Sequence, residues 1–305
     1  VSGGHDTADL LLPMFKSIRE RDPDKTISLN IIMEPDVTKR YEDAGYTVFE
    51  TPDRAVSALA GLMKIRENFD RGEGDELPSL PSDIEPVLGE AVSEVEAKRV
   101  LASAGISVVR EELAKDADAA VSSAAAMGGK VVLKIASADI QHKTEIGGVI
   151  VGVEGDEAVC EGFKTLIRRA KEAIPNAHID GVVVSEKATG GVETVIGVNT
   201  DPTFGPVVMF GLGGIFVEVL KDVTFRLAPF GKDEAKRMIR EIKSFDVLTG
   251  ARGGPAVDLD GLAETLARVS VFAAENTDTL ESLDINPYLA LPKGGKALDA
   301  LIVPR

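Results

Sequence analysis

Three oxygen-bearing side chains near the C-terminus, Asp284, Asn286 and Asp299, lie on the arms of a segment that reads as a hairpin, 281–291 with 296–303, joined by Pro-Lys-Gly-Gly. Placing the turn centre at the Lys293–Gly294 bond sets Asn286 opposite Leu301. All three then share a parity and project from one face. Asn286 and Asp299 become diagonal neighbours, within about 7–8 Å at Cα. Oxygen ligands so spaced suit a hard cation, since Mg2+ takes one or two carboxylates and completes its octahedron with phosphate and water oxygens. The same residues also read as solvated polar positions on a half-exposed hairpin, and a slip of one residue dissolves the pair.

Lys134 stands inside the apolar run Val-Val-Leu-Lys-Ile-Ala. There a lysine either snorkels from a sheet edge or neutralises a bound anion. The loop behind it, Ser137 to Gly148, favours the anion: it offers the Ser137 hydroxyl, a second lysine, His142, and the pair Gly147-Gly148 that permits close backbone approach. It lacks Walker A spacing. A neutral imidazole in a phosphate-bearing loop is a phosphoryl acceptor near pH 7, so His142 is a candidate nucleophile. Glu186 and Glu193 flank the turn Lys187-Ala-Thr-Gly-Gly-Val192. Carboxylates there can accept from a ribose or an adenine amino group, or stand as exposed edge charges. Phe210-Gly-Leu-Gly-Gly-Ile215, followed by Glu218, places its third glycine one residue too early for a dinucleotide fingerprint. Gly213 and Gly214 suit a tight turn near phosphate. Arg252, in a Gly-rich loop, is either a phosphate clamp or a surface arginine.

The elements that must carry these residues alternate. Strands are expected at 27–32 and 46–50, with helices at 36–44 and 53–68, the latter showing Val56, Leu59, Ala60 and Met63 on one face. Residues 70–90 hold Gly, acids and prolines without periodicity and read as a linker. Ser93-Glu-Val-Glu96 is a capping box opening a helix that stops at Gly105. Strands follow at 106–110, 131–136, 149–153 and 179–187, separated by helices ending at Met127 and spanning 156–173. Beyond Gly190 come strands at 192–199, 206–211 and 224–229, helices near 232–244 and 259–275, and the hairpin. This is an α/β chain with mixed sheets.

With 34 Lys+Arg against 50 Asp+Glu, the net charge is 34 − 50 = −16 over 305 residues. That balance argues against a nucleic-acid or anionic-membrane binder. Cys160 is the one cysteine, which excludes an internal disulfide and fits a reducing, cytoplasmic setting. No stretch reads as a membrane span or signal peptide. The chain begins with Val, so a piece of a longer protein is expected.

The motifs EAKRVLASAGI, VVLKIASADIQHKTEIGGV, DGVVVSEKATGGVETVIGV, DPTFGPVVMFGLGGIFVEVLKDV, LTGARGGPAVD and LDINPYLALPKGGKALDALIV occur in that order. Through them residues 91–305 resemble the ATP-grasp module of the NDP-forming acyl-CoA synthetases, relatives of succinyl-CoA synthetase β subunits. The resemblance implies an ATP-grasp fold with lobes at about 91–187 and 188–305, a linker at 71–90, and, over 1–70, the end of a flavodoxin-like CoA-ligase domain. It implies that Lys134 binds ATP phosphates, Glu186 to Ala188 form the hinge over adenine, and Glu193 holds the ribose. Asn286 and Asp299 match the family's Mg2+ ligands, Asp284 stands near the travelling phosphoryl group, and His142 matches a histidine that relays phosphate. The implied reaction converts acid, CoA and ATP to acyl-CoA, ADP and phosphate. The family's CoA-binding domain and main phosphohistidine loop have no match here, so a CoA-ligase half is expected in the same full-length protein or a second subunit, in an oligomer. Two other readings stay open: a nucleotide-binding regulatory module of a synthetase-like acetyltransferase, and an autonomous ATP-grasp carboxylate–amine ligase.

Overall fold

The computed structural model describes residues 2–3, 5–70, 76–87, 92–137, 139–140, 143, 145–214, 217, 219–254 and 256–305. The chain divides into two units, Val1–Gly74 and Asp75–Arg305.

The first unit holds β1 (Ser2–Gly3), α1 (His5–Arg21), β2 (Ser28–Asn30), β3 (Ile32–Met33), α2 (Pro35–Asp43), β4 (Thr47–Phe49) and α3 (Pro52–Asp70). The expected strand at 27–32 is split: β2 pairs in parallel with β4, whereas β3 pairs with β1. Leu29, Val37, Tyr41 and Tyr46 form the core, with Phe15 packed against it. The Arg19 guanidinium lies 3.9 Å over the Tyr46 ring. It also donates to the carbonyls of Ala44 and Gly45, which end α2. The apolar face expected on α3 is not covered within this unit: Val56 is 65% and Met63 64% exposed, and among the described residues of that helix only Ala55 is buried.

The second unit runs α4 (Glu94–Ser103), β5 (Glu111–Ala114), α5 (Ala117–Met127), β6 (Val131–Ala136), β7 (Val149–Val153), α6 (Asp156–Ala173) and β8 (Gly181–Glu186). It continues with β9 (Val192–Asp201), β10 (Gly205–Leu212), β11 (Val223–Leu227), α7 (Lys232–Arg240), α8 (Phe245–Leu248) and α9 (Leu259–Glu275). The chain closes with β12 (Leu280–Ala290), β13 (Gly295–Ala297) and β14 (Ala300–Pro304). Side-chain caps set the helix starts. Ser93 and Glu96 make the reciprocal capping box of α4, and Asp116 and Asp258 accept from Ala119 and Gly261 at the starts of α5 and α9. Gly128, at φ 69°, ends α5 in the left-handed conformation.

Two sheets result. One is antiparallel, ordered β5-β8-β6-β7, with α5 and α6 on one face. Val159, Phe163, Leu166 and Ala170 recur along α6 at helical spacing and are buried there. The other has the order β11-β10-β9-β12, with β13 and β14 both paired to β12. Its core joins Ile196, Val198, Val208, Phe210, Leu283 and Ile285 to α7 and α9. Ala97, Val100 and Leu101 of α4 enter that same core, so the helix expected to open the first lobe packs on the second sheet. Leu80 and Ile84 also pack against it and Val87 is buried in it, so the end of the expected linker is structured.

The strand expected at 106–110 is a single bridge instead: Val109 N donates to Ala297 O (3.0 Å) and Ala297 N to Ser107 O (2.9 Å). Ile106 is drawn into the larger core, and the strand proper starts at Glu111. No helix among the described residues is long and apolar enough to cross a membrane.

Candidate functional site

The register of β6 with its neighbours fixes what faces what. Lys134 lies opposite Val149 on β7 and Val183 on β8, and Val132 lies opposite Val151 and Ser185. These residues, with Glu111 opposite Ser185, share the face turned away from α5 and α6. Lys134 is therefore one cation on a largely valine surface.

Its side chain is only 14% exposed. It donates to Glu94 (2.8 Å) and to the Leu298 carbonyl (3.2 Å), and lies 3.8 Å from Asp299 Oδ2. Lys98, fully buried on α4, donates to the same Glu94 oxygen (2.9 Å), to Glu111 and to the Leu298 carbonyl (3.3 Å). Lys143, from the loop after β6, donates to the other Glu94 oxygen. Three ammonium groups thus face three carboxylates. Burial alone would raise the Glu94 carboxyl, but Lys134, Lys98 and Lys143 outweigh it and hold the group well below the carboxylate range. Burial would likewise lower Lys134, and Glu94, Asp299 and Glu111 reverse the sign.

The hairpin register differs from the expected one. Asp284, not Asn286, lies opposite Leu301, and the turn centres on Leu291–Gly294, closed by Leu291 N to Gly294 O (3.0 Å). The shift preserves parity, so the face is the expected one. Asn286 and Asp299 now stand directly opposite rather than diagonally, with Asn286 N donating to Asp299 O (3.2 Å). Asp284 is hydrogen-bonded by the Asn286 side chain, and burial raises its carboxyl. Asp299 is also raised, by burial first and by the Glu94 carboxylate, against the pull of Lys134. Two carboxyls held above their ordinary values beside an amide oxygen form a hard-oxygen set short of positive charge. This donor set fits Mg2+ completed by phosphate oxygens. Among the described residues, no cluster of three or more His, Cys, Asp or Glu makes a metal site from protein groups alone.

Asp258 sets this register. Its carboxylate caps α9 through Gly261 N (2.9 Å) and accepts from Gly294 N at the hairpin tip (3.0 Å). Glu186, at the end of β8, accepts from Arg110 N (3.0 Å) and from Lys296 of β13. Burial opposes these partners, yet they hold its carboxyl below the usual range. Lys187 N donates to Lys130 O (3.1 Å), fixing the start of the turn that carries Ala188. At the far end of that turn, Glu193 sits exposed opposite Leu289, and its carbonyl accepts from Gly213 N (2.9 Å). The turn and the glycine loop therefore meet, with Gly214 beside them at φ 61°.

Other expected residues have structural partners. The Ser137 hydroxyl donates to His178 O (2.6 Å), tying its loop to the segment before β8. Gly147 accepts from Arg169 of α6 (2.9 Å), and a Cβ on Gly148 would lie 2.8 Å from Lys143 O. The glycine pair thus serves a tight return into β7. His142, Glu218 and the Arg252 side chain lie outside the described residues. Sequence reasoning missed Glu94, Lys98 and Glu111. The signal was present: Lys98 stands four residues after Glu94, on the helix face that carries Ala97 and Leu101.

The ATP-grasp domain profile matches residues 89–303, the span containing both sheets and every residue of the cluster. The chain belongs to the ATP-grasp domain family. Within that family it is 41% identical to the β subunit of the Pyrococcus furiosus acetate–CoA ligase (ADP-forming) I, over 69% of this chain and 90% of that subunit. It is 36% identical to the Archaeoglobus fulgidus acetate–CoA ligase (ADP-forming) I, over 85% of this chain but only 39% of that longer protein. The acetyl-coenzyme A synthetase 1 of Ca. Korarchaeum cryptofilum, in complex with coenzyme A, Ca-AMPCP and HgCl+, aligns at a TM-score of 0.68. It shares 40% identity, over 80% of this chain and 98% of that one. Another structure of that enzyme holds coenzyme A and Mg-AMPPCP, with its phosphohistidine segment pointing towards the nucleotide site; there the TM-score is 0.63 at 39% identity, covering 70% of this chain and 93% of that one.

Proposed function

We propose that residues 75–305 bind Mg·ATP where the two sheets meet and perform the nucleotide-side step of an ADP-forming acyl-CoA synthetase. In the full reaction, acid, CoA and ATP give acyl-CoA, ADP and phosphate through an acyl phosphate and a phosphohistidine. The observation that carries this reading is the approach of Lys134, on one sheet, to Asp299, on the other, with Asn286 directly opposite that acid. A phosphate-binding cation and a metal-binding oxygen pair are the two parts that phosphoryl transfer requires.

In this reading Val132, Val149, Val151 and Val183 form the bed for the adenine, and Glu186 to Ala188 form its hinge. Glu193 holds the ribose, and Gly213 and Gly214 line the phosphates. Lys134 neutralises phosphate oxygens, Asn286 and Asp299 hold the cation, and Asp284 stands beside the moving phosphoryl group. Mg2+ held there would supply the positive charge that offsets the charge developing on the phosphate oxygens. His142 is the acceptor: its neutral ring nitrogen forms the N–P bond as the γ-phosphorus–oxygen bond breaks, and ADP leaves with the electron pair. The β-subunit relatives support a CoA-binding half that completes the cycle, in another chain or in the remainder of a longer one. The single cysteine accords with a cytoplasmic setting.

The test is transfer of labelled γ-phosphate from Mg·ATP to the polypeptide, alone and with the α subunit of an ADP-forming acetate–CoA ligase. Acid-labile label lost in His142→Ala is the expected result. Nucleotide binding with no label in either arrangement would refute the relay.

A further inference from the structure

One carboxylate serves three lysines whose burial differs in a telling order. The Lys98 side chain is 2% exposed, that of Lys134 14% and that of Lys143 21%. Lys98 also has a second acid, Glu111, which is held by the Ser185 hydroxyl (3.1 Å) and has its other oxygen buried without a donor among the described residues. Lys134 and Lys143 reach Glu94 from the sheet face and from the following loop, the side on which a ligand would arrive.

We propose that Glu94 is a positioning residue, an internal anion that assembles Lys134 and Lys143 in advance and yields both to an incoming polyphosphate. Stripping all counter-ions from a buried carboxylate would be strongly unfavourable. Lys98 removes that obstacle. It stays between Glu94 and Glu111 while the two outer lysines exchange carboxylate oxygens for phosphate oxygens. The Leu298 carbonyl, which accepts from both Lys98 and Lys134, keeps the cluster in register with the adjoining Asp299. No lysine is left unpaired in either state, and no proton has to move.

This inference rests on the nucleotide reading of the site, so its test begins with binding of Mg·AMPPNP to the wild-type chain by titration calorimetry. Glu94→Gln removes the competing anion and its orienting hold together. Affinity for Mg·AMPPNP should therefore rise about tenfold, the order of one partly screened charge contact, while single-turnover phosphoryl transfer slows. Glu94→Asp, which restores the charge, should return affinity towards wild type. A merely structural Glu94 would weaken binding and transfer together, and that outcome overturns the proposal, as does unchanged affinity in Glu94→Gln.

Should Glu94→Gln fail to fold, the wild-type chain decides the matter by 15N NMR of the lysine Nζ groups. Mg·AMPPNP should shift the signals of Lys134 and Lys143 and leave that of Lys98 in place. Movement of Lys98, or of none of the three, overturns the proposal. Absence of any binding heat in the wild type refutes the nucleotide reading itself, and this inference with it.

Discussion

Neutralising Asp299 separates a metal role from a scaffolding one, because the two predict opposite signs. In the protein, Asp299 Oδ2 lies 3.8 Å from Lys134 Nζ and its side chain is 44% exposed. Unit charges at that distance interact by about 4 kcal/mol at an effective dielectric of about 20 and by about 1 kcal/mol in water. Partial exposure places this pair near the lower end, at about 1–2 kcal/mol. Asp299→Asn therefore leaves Lys134 less satisfied and more available to a phosphate. Metal-free ATP should bind no more weakly than to wild type, and up to about tenfold more tightly. With Mg2+ the sign reverses, since a charged ligand becomes a neutral one. The loss should reach at least the roughly 10–100-fold that removing an outer-shell partner alone produces. Titration calorimetry with EDTA in one arm and excess Mg2+ in the other reads both numbers on one preparation. Equal weakening in the two arms would refute the metal assignment and make Asp299 a scaffold residue.

Asp258→Ala removes the cap of α9 and the tether of the hairpin tip. It should cost about 2 kcal/mol in urea denaturation, as a cap and one charge-assisted hydrogen bond are lost together. Burial holds the Asp284 carboxyl above its ordinary 3.8, so in the folded state its charge is a penalty that sets in as pH rises through 3.8 and the raised folded value. Asp284→Asn should therefore raise Tm at neutral pH, with the gain vanishing below pH 3.8, and should slow phosphoryl transfer. Glu94 has the opposite sign. Its carboxyl is held below its ordinary 4.5, so its contribution is present above that pH and is lost as pH falls through the depressed folded value; Glu94→Gln should flatten the acid limb of a Tm-against-pH curve. At Gly191 a Cβ would lie 2.3 Å from Ala290 O, so Gly191→Ala should force β9 away from β12. A loss of about 1–3 kcal/mol by urea denaturation, with weaker nucleotide binding, is expected.

The parity of Asp284, Asn286 and Asp299 was legible because strand side chains alternate with a period of two, and a register error of two residues leaves the face unchanged. The turn centre was not legible: Pro292, Lys293, Gly294 and Gly295 accommodate either centre, and the choice is made by Asp258, a residue distant in sequence that bonds Gly294. Helix limits at Ser93 and Gly128 could be read from a cap and a stop, which are local. The segment 106–110 looked like a strand by composition, yet its one ladder partner, Ala297, lies on the final hairpin. Glu94 was hidden by its position in the first turn of a well-capped helix, where an acid needs no further reason. Only the fold shows that its carboxylate collects lysines from α4, β6 and the loop beyond.

The crossing of α4 into the core of the larger sheet has a consequence for how the chain acquires its structure. Entry and exit of the smaller sheet lie side by side, Arg110 and Glu186 exchanging backbone and side-chain hydrogen bonds. Residues 111–186 are thus an insert that can complete its own pairing as soon as it emerges during synthesis. The apolar face of α4 cannot: Leu101 must wait for Ile196, Leu283 and Ile302, all made later. Such long-range closure is slow, and it leaves α4 exposed until the last hairpin arrives. The earliest helix of this unit and its final strands therefore mature together, and a chain cut short before β14 should hold a finished small sheet beside an unfinished large one.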